Sequence, residues 1–595
     1  MVTNKADCLY EISWEVCNKV GGIFTVIKSK AARTVDYYKE NYYLIGPYVA
    51  DKIIGEFKEM LPHNELKAIF DELKRENIIC HYGKWLIEGN PNLILIDFTG
   101  FKSRINDIKK ELWESYKIDS LQAPPDYDEP VVWSYTAGKL IEKLTRNCGT
   151  KKMCAQFHEW LSGAGLLYLK MKKIKIATVF TTHATILGRT LAGNNINPCS
   201  LPTTINPEIE AVKYGIVSKY HIEKNSAKYA DIFTTVSEIT AIEAEHLLGR
   251  KPEVLVLNGL DINRFPTFED RSIKHRLYKN QIKEFLMYYF FPYYLFDIED
   301  TLIYFLAGRY EFHAKGIDIL IKALGKLNQK LKDEKSKLTI VTFIWVPTAI
   351  RGVKLELLEN RIFFKDIKDS VEEELDEIKR NILTSIISNK KITQADLMNP
   401  ETMDIIKKKV MRFKKQKEPF LVTHDLMDEN DAIVESFNNN NLHNKESDRV
   451  KVIYYPTYLT GADGLLDLEY YEAMTGSQLG IFPSFYEPWG YTPLEAGALG
   501  IASITTDLSG FGRYISQKQR ETEPGVYVIK RYNKSDEEAI QELADVMYLY
   551  ARYSKEQRIS NKIEARRLAL LADWKNFIEN YINAHNLAVD KIYSK

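Results

Sequence analysis

LIYFLAGR (Leu302–Arg309) decides how the chain is read: apolar side chains fall on both faces of an extended segment that breaks at a Gly-Arg pair. A strand with one wet face would alternate polar and apolar residues. A run apolar on both faces is a strand covered on both sides, the habit of parallel sheets. The pattern recurs in both directions. Before it come LILIDF (Leu93–Phe98), IATVFTTH (Ile176–His183), DIFTTVS (Asp231–Ser237) and VLVLNG (Val254–Gly259). After it come LTIVTFIWV (Leu338–Val346), LGIFPS (Leu479–Ser484) and IASITTD (Ile501–Asp507). Amphipathic segments separate many of these runs, which predicts βα units and an α/β fold. One helix start is explicit: Ser535 and Glu538 form a capping box ahead of Ile540, Leu543, Met547 and Tyr550 at helical spacing.

At 595 residues the chain is long enough for two large domains, and 45% hydrophobic with 27% charged residues is ordinary globular composition. Lys plus Arg and Asp plus Glu both number 81, so the net charge is zero and the surface as a whole is not a polyanion binder; no nucleic-acid partner is expected. The 36 Tyr and 26 Phe suit flat hydroxylated ligands but serve equally well as core. Cys8, Cys17, Cys80, Cys148, Cys154 and Cys199 contain no CxxC and read as thiols in a reducing, cytoplasmic compartment. The N-terminus lacks a signal-peptide layout, and no run nears the ~20 apolar residues of a membrane span.

A break follows NGLDINRF (Asn258–Phe265). The expected division is a first domain over 1–265, a second over 266–570, and a final helix over 571–595. Residues 351–434 are charged and helical in pattern and read as an insertion in the second domain, with an oligomer contact as one use. The Asn438–Asn441 run reads as a disordered loop tip.

Four stretches carry chemistry. Asn18-Lys19-Val20-Gly21-Gly22 follows the first strand; paired glycines let amides approach a phosphate and Lys19 adds charge, although an ordinary βα turn has the same look. In AGRYEFHAKG (Ala307–Gly316), Arg309 and Lys315 lie six apart and suit a diphosphate, against the alternative of two solvated cations. In EPWGYTPLE (Glu487–Glu495), Thr492, Pro493 and Glu495 read as N-cap, N1 and N3 of a helix, while Glu487 sits in a Gly/Pro/Trp loop with no such structural use. His183 closes a strand ahead of Gly188 and Arg189 and is either structural or a ligand. Two metal readings fail. His158-Glu159 lacks the second histidine of HExxH, since position 162 is Ser, and Asp126-Tyr127-Asp128 lies in a Pro-flanked loop rather than at a strand end.

Taken together, WEVCNKVGGIFTV, GKWLIEG, HEWLSG, FTTHATILGR, DIFTTVSEITAIEAEHLL, LNGLDINRF, AGRYEFHAKG, DRVKVI, FPSFYEPWGYTPLEAGALG and LADWK resemble, in order, blocks of the glycogen synthases of animals and fungi. That resemblance implies a GT-B architecture, two Rossmann-like domains facing a cleft, with the second binding UDP-glucose and a last helix containing Trp574 crossing back to the first. It implies transfer of glucose from UDP-glucose to the non-reducing end of an α-1,4-glucan with retention, no metal and no cofactor beyond the sugar-nucleotide co-substrate. Glu487, Arg309, Lys315 and His183 would be catalytic. Lys19, Gly21, Gly22, Arg189, Tyr470, Trp489, Gly490, Tyr491, Thr492 and Glu495 would bind the donor, with Tyr470 stacked on uracil and Glu495 on the ribose. Glu487 would stabilise charge or act as a transient nucleophile.

The family is activated by glucose-6-phosphate through an arginine-dense late helix. Here Lys555, Arg558, Lys562 and Arg566 share one helix face and Arg567 follows, but Glu556 and Glu564 stand where the family carries arginines. The family's N-terminal extension and Ser/Pro-rich tail have no counterpart, so control by phosphorylation there is not expected. Asn194–Pro207 departs from the family pattern on the acceptor side. A glycogenin-type primer protein and a homotetramer built through the helical insertion are the implied partners. The competing readings are an α-glucan phosphorylase, which needs a lysine-bound pyridoxal phosphate that no motif here specifies, a glucan-binding scaffold without catalysis, and an assembly protein built on the insertion.

Overall fold

The computed structural model describes residues 2–198, 205–266, 268–393, 399–519 and 523–594. Cys199 and part of Asn194–Pro207 lie outside them. Cys8, Cys17, Cys80, Cys148 and Cys154 are free thiols.

Two open sheets carry the chain. The first runs, edge to edge, Phe57–Glu59, Ile79–Trp85, Asn92–Asp97, Tyr42–Pro47, Cys8–Ile12, Met153–His158, Ala177–Thr182, Ile232–Thr235 and Val254–Leu255. It is parallel from Asn92–Asp97 onward, and the two strands before that are antiparallel. The second sheet is parallel throughout, in the order Val450–Tyr455, Ile340–Trp345, Leu302–Ala307, Leu479–Ile481, Ala502–Thr506 and Val526–Ile529. Every residue of Cys8–Ile12 and of Leu302–Ala307 is buried, as strands apolar on both faces require. Successive residues serve opposite layers: Tyr10 and Ile12 pack with Trp133 and Leu140, whereas Leu9 packs with Trp574 and Tyr581.

Each sheet reverses its winding beside its first strand. In the first sheet Cys8–Ile12 lies between Tyr42–Pro47 and Met153–His158; in the second Leu302–Ala307 lies between Ile340–Trp345 and Leu479–Ile481. At such reversals the loops beyond the strands' carboxyl ends diverge and leave a crevice, which is where open α/β sheets bind ligands. The segments concerned are the 13–21 loop and the strand-to-helix junction at His158 and Glu159 on one side, and the 308–316 and 482–490 loops on the other.

The helix Trp574–Tyr593 lies against the first sheet although its sequence follows the second. Asp573 caps it by accepting from the Lys575 amide. It buries Trp574, Phe577, Tyr581, Ile582 and Val589, and the Trp574 Nε1–H donates to Ser29 Oγ at 2.8 Å. Asn586 bonds the Lys5 amide and the Thr3 carbonyl, each at 2.8 Å.

Between the strands of the second half, residues 351–434 contain the helices Leu355–Glu373, Leu375–Ile387 and Pro400–Phe413. An antiparallel pair, Ile350–Val353 with His424–Leu426, closes the base of this segment, a feature the charged helical pattern did not suggest. The asparagine run is not a loop tip. Asn438 and Asn439 finish the helix Ala432–Asn439, Asn440 caps it, and Asn441 takes the left-handed conformation that asparagine tolerates after a helix. The capping box at Ser535 and Glu538 is present as expected.

Candidate active site

The strand ends bring Arg189, Arg309, Lys315 and Glu487 of the expected residues to a cavity of about 590 Å³ between the halves, whereas His183 lies behind its wall and Glu495 lines a different recess. Arg189 contributes from the first half, and Arg309, Lys315, Tyr486 and Glu487 from the second. Lys315 Nζ meets Glu487 Oε2 at 2.6 Å, both side chains about one-fifth exposed (18% and 21%). Arg309 stands out in solvent, 73% exposed, with one contact to Glu311 at 2.9 Å. Two glycines make the arrangement. Gly316 has φ +68°, and a Cβ there would lie 2.0 Å from the Pro483 carbonyl oxygen, so only glycine lets the 308–316 loop lie on the 482–490 loop. Gly490 has φ +108°, and its Cβ would meet Ser509 Oγ at 2.7 Å.

Across the cavity, Tyr486 donates its hydroxyl to Glu243 Oε1 at 3.1 Å, tying the residue beside Glu487 to the opposite half. Glu243 also accepts from the amide and hydroxyl of Thr185, at 2.9 and 2.6 Å. Burial pushes Glu243 up to about 7, and burial together with the nearby Glu159 pushes Glu223 up to about 8. Burial also raises Glu159, which accepts from the amides of His183 and Ala184 at 3.0 and 3.2 Å. Arg189 is exposed on this carboxylate-rich wall, and Glu159, Glu223 and Glu243 raise its proton affinity against its desolvation.

His183 follows the strand Ala177–Thr182, 7% exposed. Its Nε2 meets His158 Nδ1 at 3.0 Å, and His158 Nε2 meets Glu11 Oε1 at 2.7 Å. Burial lowers both histidines. Sequence reading passed over Glu11, and over His158 in any role but a metal ligand. The available signal was a carboxylate in the middle of the buried strand LYEI, an expensive placement without a partner.

Several expectations need correction. The Gly21 amide does not face the cleft with a free hydrogen: it donates to Glu15 Oε2 at 2.9 Å, as the Phe24 amide does at 2.8 Å. Glu15 therefore holds the N-terminus of the helix Gly22–Tyr38, where orphan amides and the helix dipole favour a carboxylate. Gly22 and Lys19 are exposed beside it. The Trp489 side chain, expected at the donor, is turned away from the cavity. It is 3% exposed and packs among Phe511, Tyr514 and Phe577, because the loop turns its indole inward. Thr492 is not an N-cap. The helix spans Tyr491–Ala498 with Gly490 before it, so Glu495 makes no capping box. Glu495 instead accepts from Tyr471 at 2.8 Å and Tyr470 at 3.4 Å, and burial raises it to about 7. Thr492 shares a small recess with Lys315 and Glu487, and Tyr491 packs against the layer that holds Trp574.

The late helix Lys555–Leu571 divides its cations. Lys555, Arg558 and Lys562 line a second cavity of about 750 Å³ with His275 and Lys279. Lys562 Nζ lies 3.3 Å from His275 Nε2, and burial, then Lys562, lowers His275 to about 3. Arg566 and Arg567 are not brought there. Arg566 donates to the Ala498 carbonyl oxygen, and Arg567 pairs with Glu564 at 2.6 Å, because the acid at 564 draws it back along the helix. The Asp126 of the DYD loop pairs with Lys219 at 2.6 Å.

A family model described as glycogen synthase matches residues 11–595. The liver glycogen synthase of Mus musculus is 35% identical over 98% of this chain and 84% of its own length, and the glycogen synthase of Neurospora crassa is 36% identical over 99% of this chain and 84% of its own length. The glycogen synthase of Dictyostelium discoideum is 35% identical over 98% of this chain and 67% of its length. Among solved structures, the catalytic domain of starch synthase IV from Arabidopsis thaliana, bound to ADP and acarbose, superposes with a TM-score of 0.53 at 13% identity, covering 98% of this chain and all of that one.

Proposed function

This chain belongs to the glycogen synthase family and has its GT-B architecture, and on that premise we propose that it moves glucose from UDP-glucose to the non-reducing end of an α-1,4-glucan with retention, without a metal. The observation that carries this reading is the meeting of Lys315, Glu487, Arg309 and Arg189 around one interdomain cavity. A departing UDP gathers negative charge on its phosphates. Arg309 and Lys315 supply positive charge where a metal-dependent enzyme would place its ion, and they act most strongly once the cleft excludes water. The outward, lightly held Arg309 is free to swing onto the diphosphate.

Glu487 sits within reach of the same sugar-phosphate bond, on the face where positive charge develops at the anomeric carbon. Its carboxylate balances that charge or forms a transient bond to it. Glu495, with Tyr470 and Tyr471, offers a carboxylate and two aromatic faces to the nucleoside. In this reading His183 hydrogen-bonds the sugar near the reacting carbon.

The second cavity is the glucose-6-phosphate site in this reading, built from Arg558 and Lys562 with His275, Lys279 and Lys555 rather than from Arg566 and Arg567. The assembly is a homotetramer through residues 351–434, where Leu355, Ile362, Leu383 and Ile387 leave more than half their surface exposed.

The test is incorporation of labelled glucose from UDP-glucose into glycogen, run with a chelator. Incorporation that persists supports the reading; transfer that stops and returns with added magnesium or manganese overturns the metal-free mechanism.

A further inference from the structure

We propose that Glu11 and His158 are positioning residues that fix the tautomer of His183, so that this histidine presents a hydrogen-bond acceptor, not a donor, to a sugar hydroxyl. The inference rests on the reading of the cleft as a UDP-glucose site. It begins from a chain of four buried groups. Lys30 Nζ meets Glu11 Oε2 at 2.6 Å, Glu11 Oε1 meets His158 Nε2 at 2.7 Å, and His158 Nδ1 meets His183 Nε2 at 3.0 Å. The Tyr42 hydroxyl also donates to Glu11 Oε2. Lys30, Glu11 and His158 are 1% exposed or less.

Proton positions follow from the acceptor at the far end. Lys30 and the hydrogen bond from His158 hold Glu11 ionised although burial opposes it, so the carboxylate can only accept. His158 must then carry its proton on Nε2. Its Nδ1 is left as a lone pair and must accept from His183, which therefore carries its proton on Nε2. The nitrogen remaining to His183 is Nδ1, as a bare acceptor, and the neighbours Ala184 and Arg189 line the cleft. Lys30 already neutralises Glu11, so a second positive charge on His158 has no counter-ion, and burial lowers both rings.

The same geometry supplies an inversion of the relay without a change of shape. In a Glu11→Gln variant the amide oxygen is held at the Oε2 position, because two donors, Lys30 and Tyr42, point there. The amide NH₂ then faces His158 Nε2. His158 moves its proton to Nδ1 and donates to His183 Nε2, and His183 carries its proton on Nδ1. Both rings stay neutral and each changes tautomer, leaving a donor toward the cleft.

A series of UDP-glucose analogues with fluorine replacing one hydroxyl at a time reads this polarity, since fluorine cannot donate. Equilibrium binding is measured by calorimetry, and the ratio of parent to analogue affinity is compared between proteins. The wild type is expected to lose about tenfold or more at one position, and the Glu11→Gln variant to bring that ratio within about threefold of unity. His158→Asn, whose amide oxygen takes the place of Nδ1, should keep the wild-type ratio, and His158→Leu should lose it. An unchanged ratio in folded Glu11→Gln protein overturns the proposal, as does an equal ratio in the two His158 variants, which decide the matter if Glu11→Gln does not fold. A wild type that binds UDP-glucose without loss at any position also overturns it, whereas one that binds no UDP-glucose sinks the functional reading instead.

Discussion

Replacing Glu487 by Ala should separate turnover from nucleotide affinity. In the structure Lys315 is held by Glu487 at 2.6 Å, so part of its charge is spent before a nucleotide arrives. Both side chains are about four-fifths buried (18% and 21% exposed), so the attraction is largely offset by their desolvation, and we take the net worth of the pair as about 1 kcal/mol. Releasing Lys315 to the diphosphate should therefore tighten UDP binding by up to about fivefold. Turnover moves the other way, because a group that stabilises charge only in the transition state is worth about a hundredfold or more. Titration calorimetry with UDP gives the first quantity and labelled-glucose incorporation the second. Lys315→Ala is the control and should weaken UDP. If Glu487→Ala weakens UDP in parallel with activity, the carboxylate is holding the nucleotide site together, and the assignment of Glu487 to the sugar is wrong.

Arg558→Ala should abolish activation by glucose-6-phosphate with basal incorporation unchanged, whereas Arg567→Ala should retain activation, since its guanidinium is engaged by Glu564. Trp574→Ala removes a side chain 1% exposed and its bond to Ser29, and should cost about 3–5 kcal/mol in urea unfolding. The buried carboxyls predict a pH slope. Glu243 and Glu223 are raised from 4.5 to about 7 and about 8, so the native state holds protons that the unfolded chain has released. Their stabilisation is complete below about pH 4.5 and is lost as pH rises toward 8; the fall in melting temperature over that window should be shallower in Glu223→Gln.

The second sheet and its loops were legible because buried parallel strands write themselves as unbroken apolar runs and the turns after them need glycine and proline. Arg309, Lys315 and Glu487 stood out as charged groups where such a strand stops. What the sequence hid depends on distant partners. Thr492, Pro493 and Glu495 satisfy every local rule for a capped helix, yet the left-handed Gly490 starts the helix early and Tyr470 and Tyr471 draw Glu495 away. Trp489 looks like a ligand platform until the helix Trp574–Tyr593 brings Phe577 beside it. Glu15 is six residues from Gly21, and only the folded turn shows that it takes that amide before any phosphate does. The relay from Lys30 to His183 joins a helix, two strands and the loop after a third, and no spacing in the chain announces it.

The helix Trp574–Tyr593 also sets a clock. On a ribosome the first sheet is fully synthesised once Val254–Leu255 emerges, but the residues that cover one of its faces are about 300 codons away, roughly 15–60 s at usual elongation rates. Throughout that interval the nascent unit exposes the surface that Tyr581, Ile582 and Val589 will occupy, a natural landing place for a chaperone. A transcript cut anywhere in the second half would yield a product with its greasy underside open, so truncated copies should be degraded or aggregate instead of competing with intact enzyme for glucan.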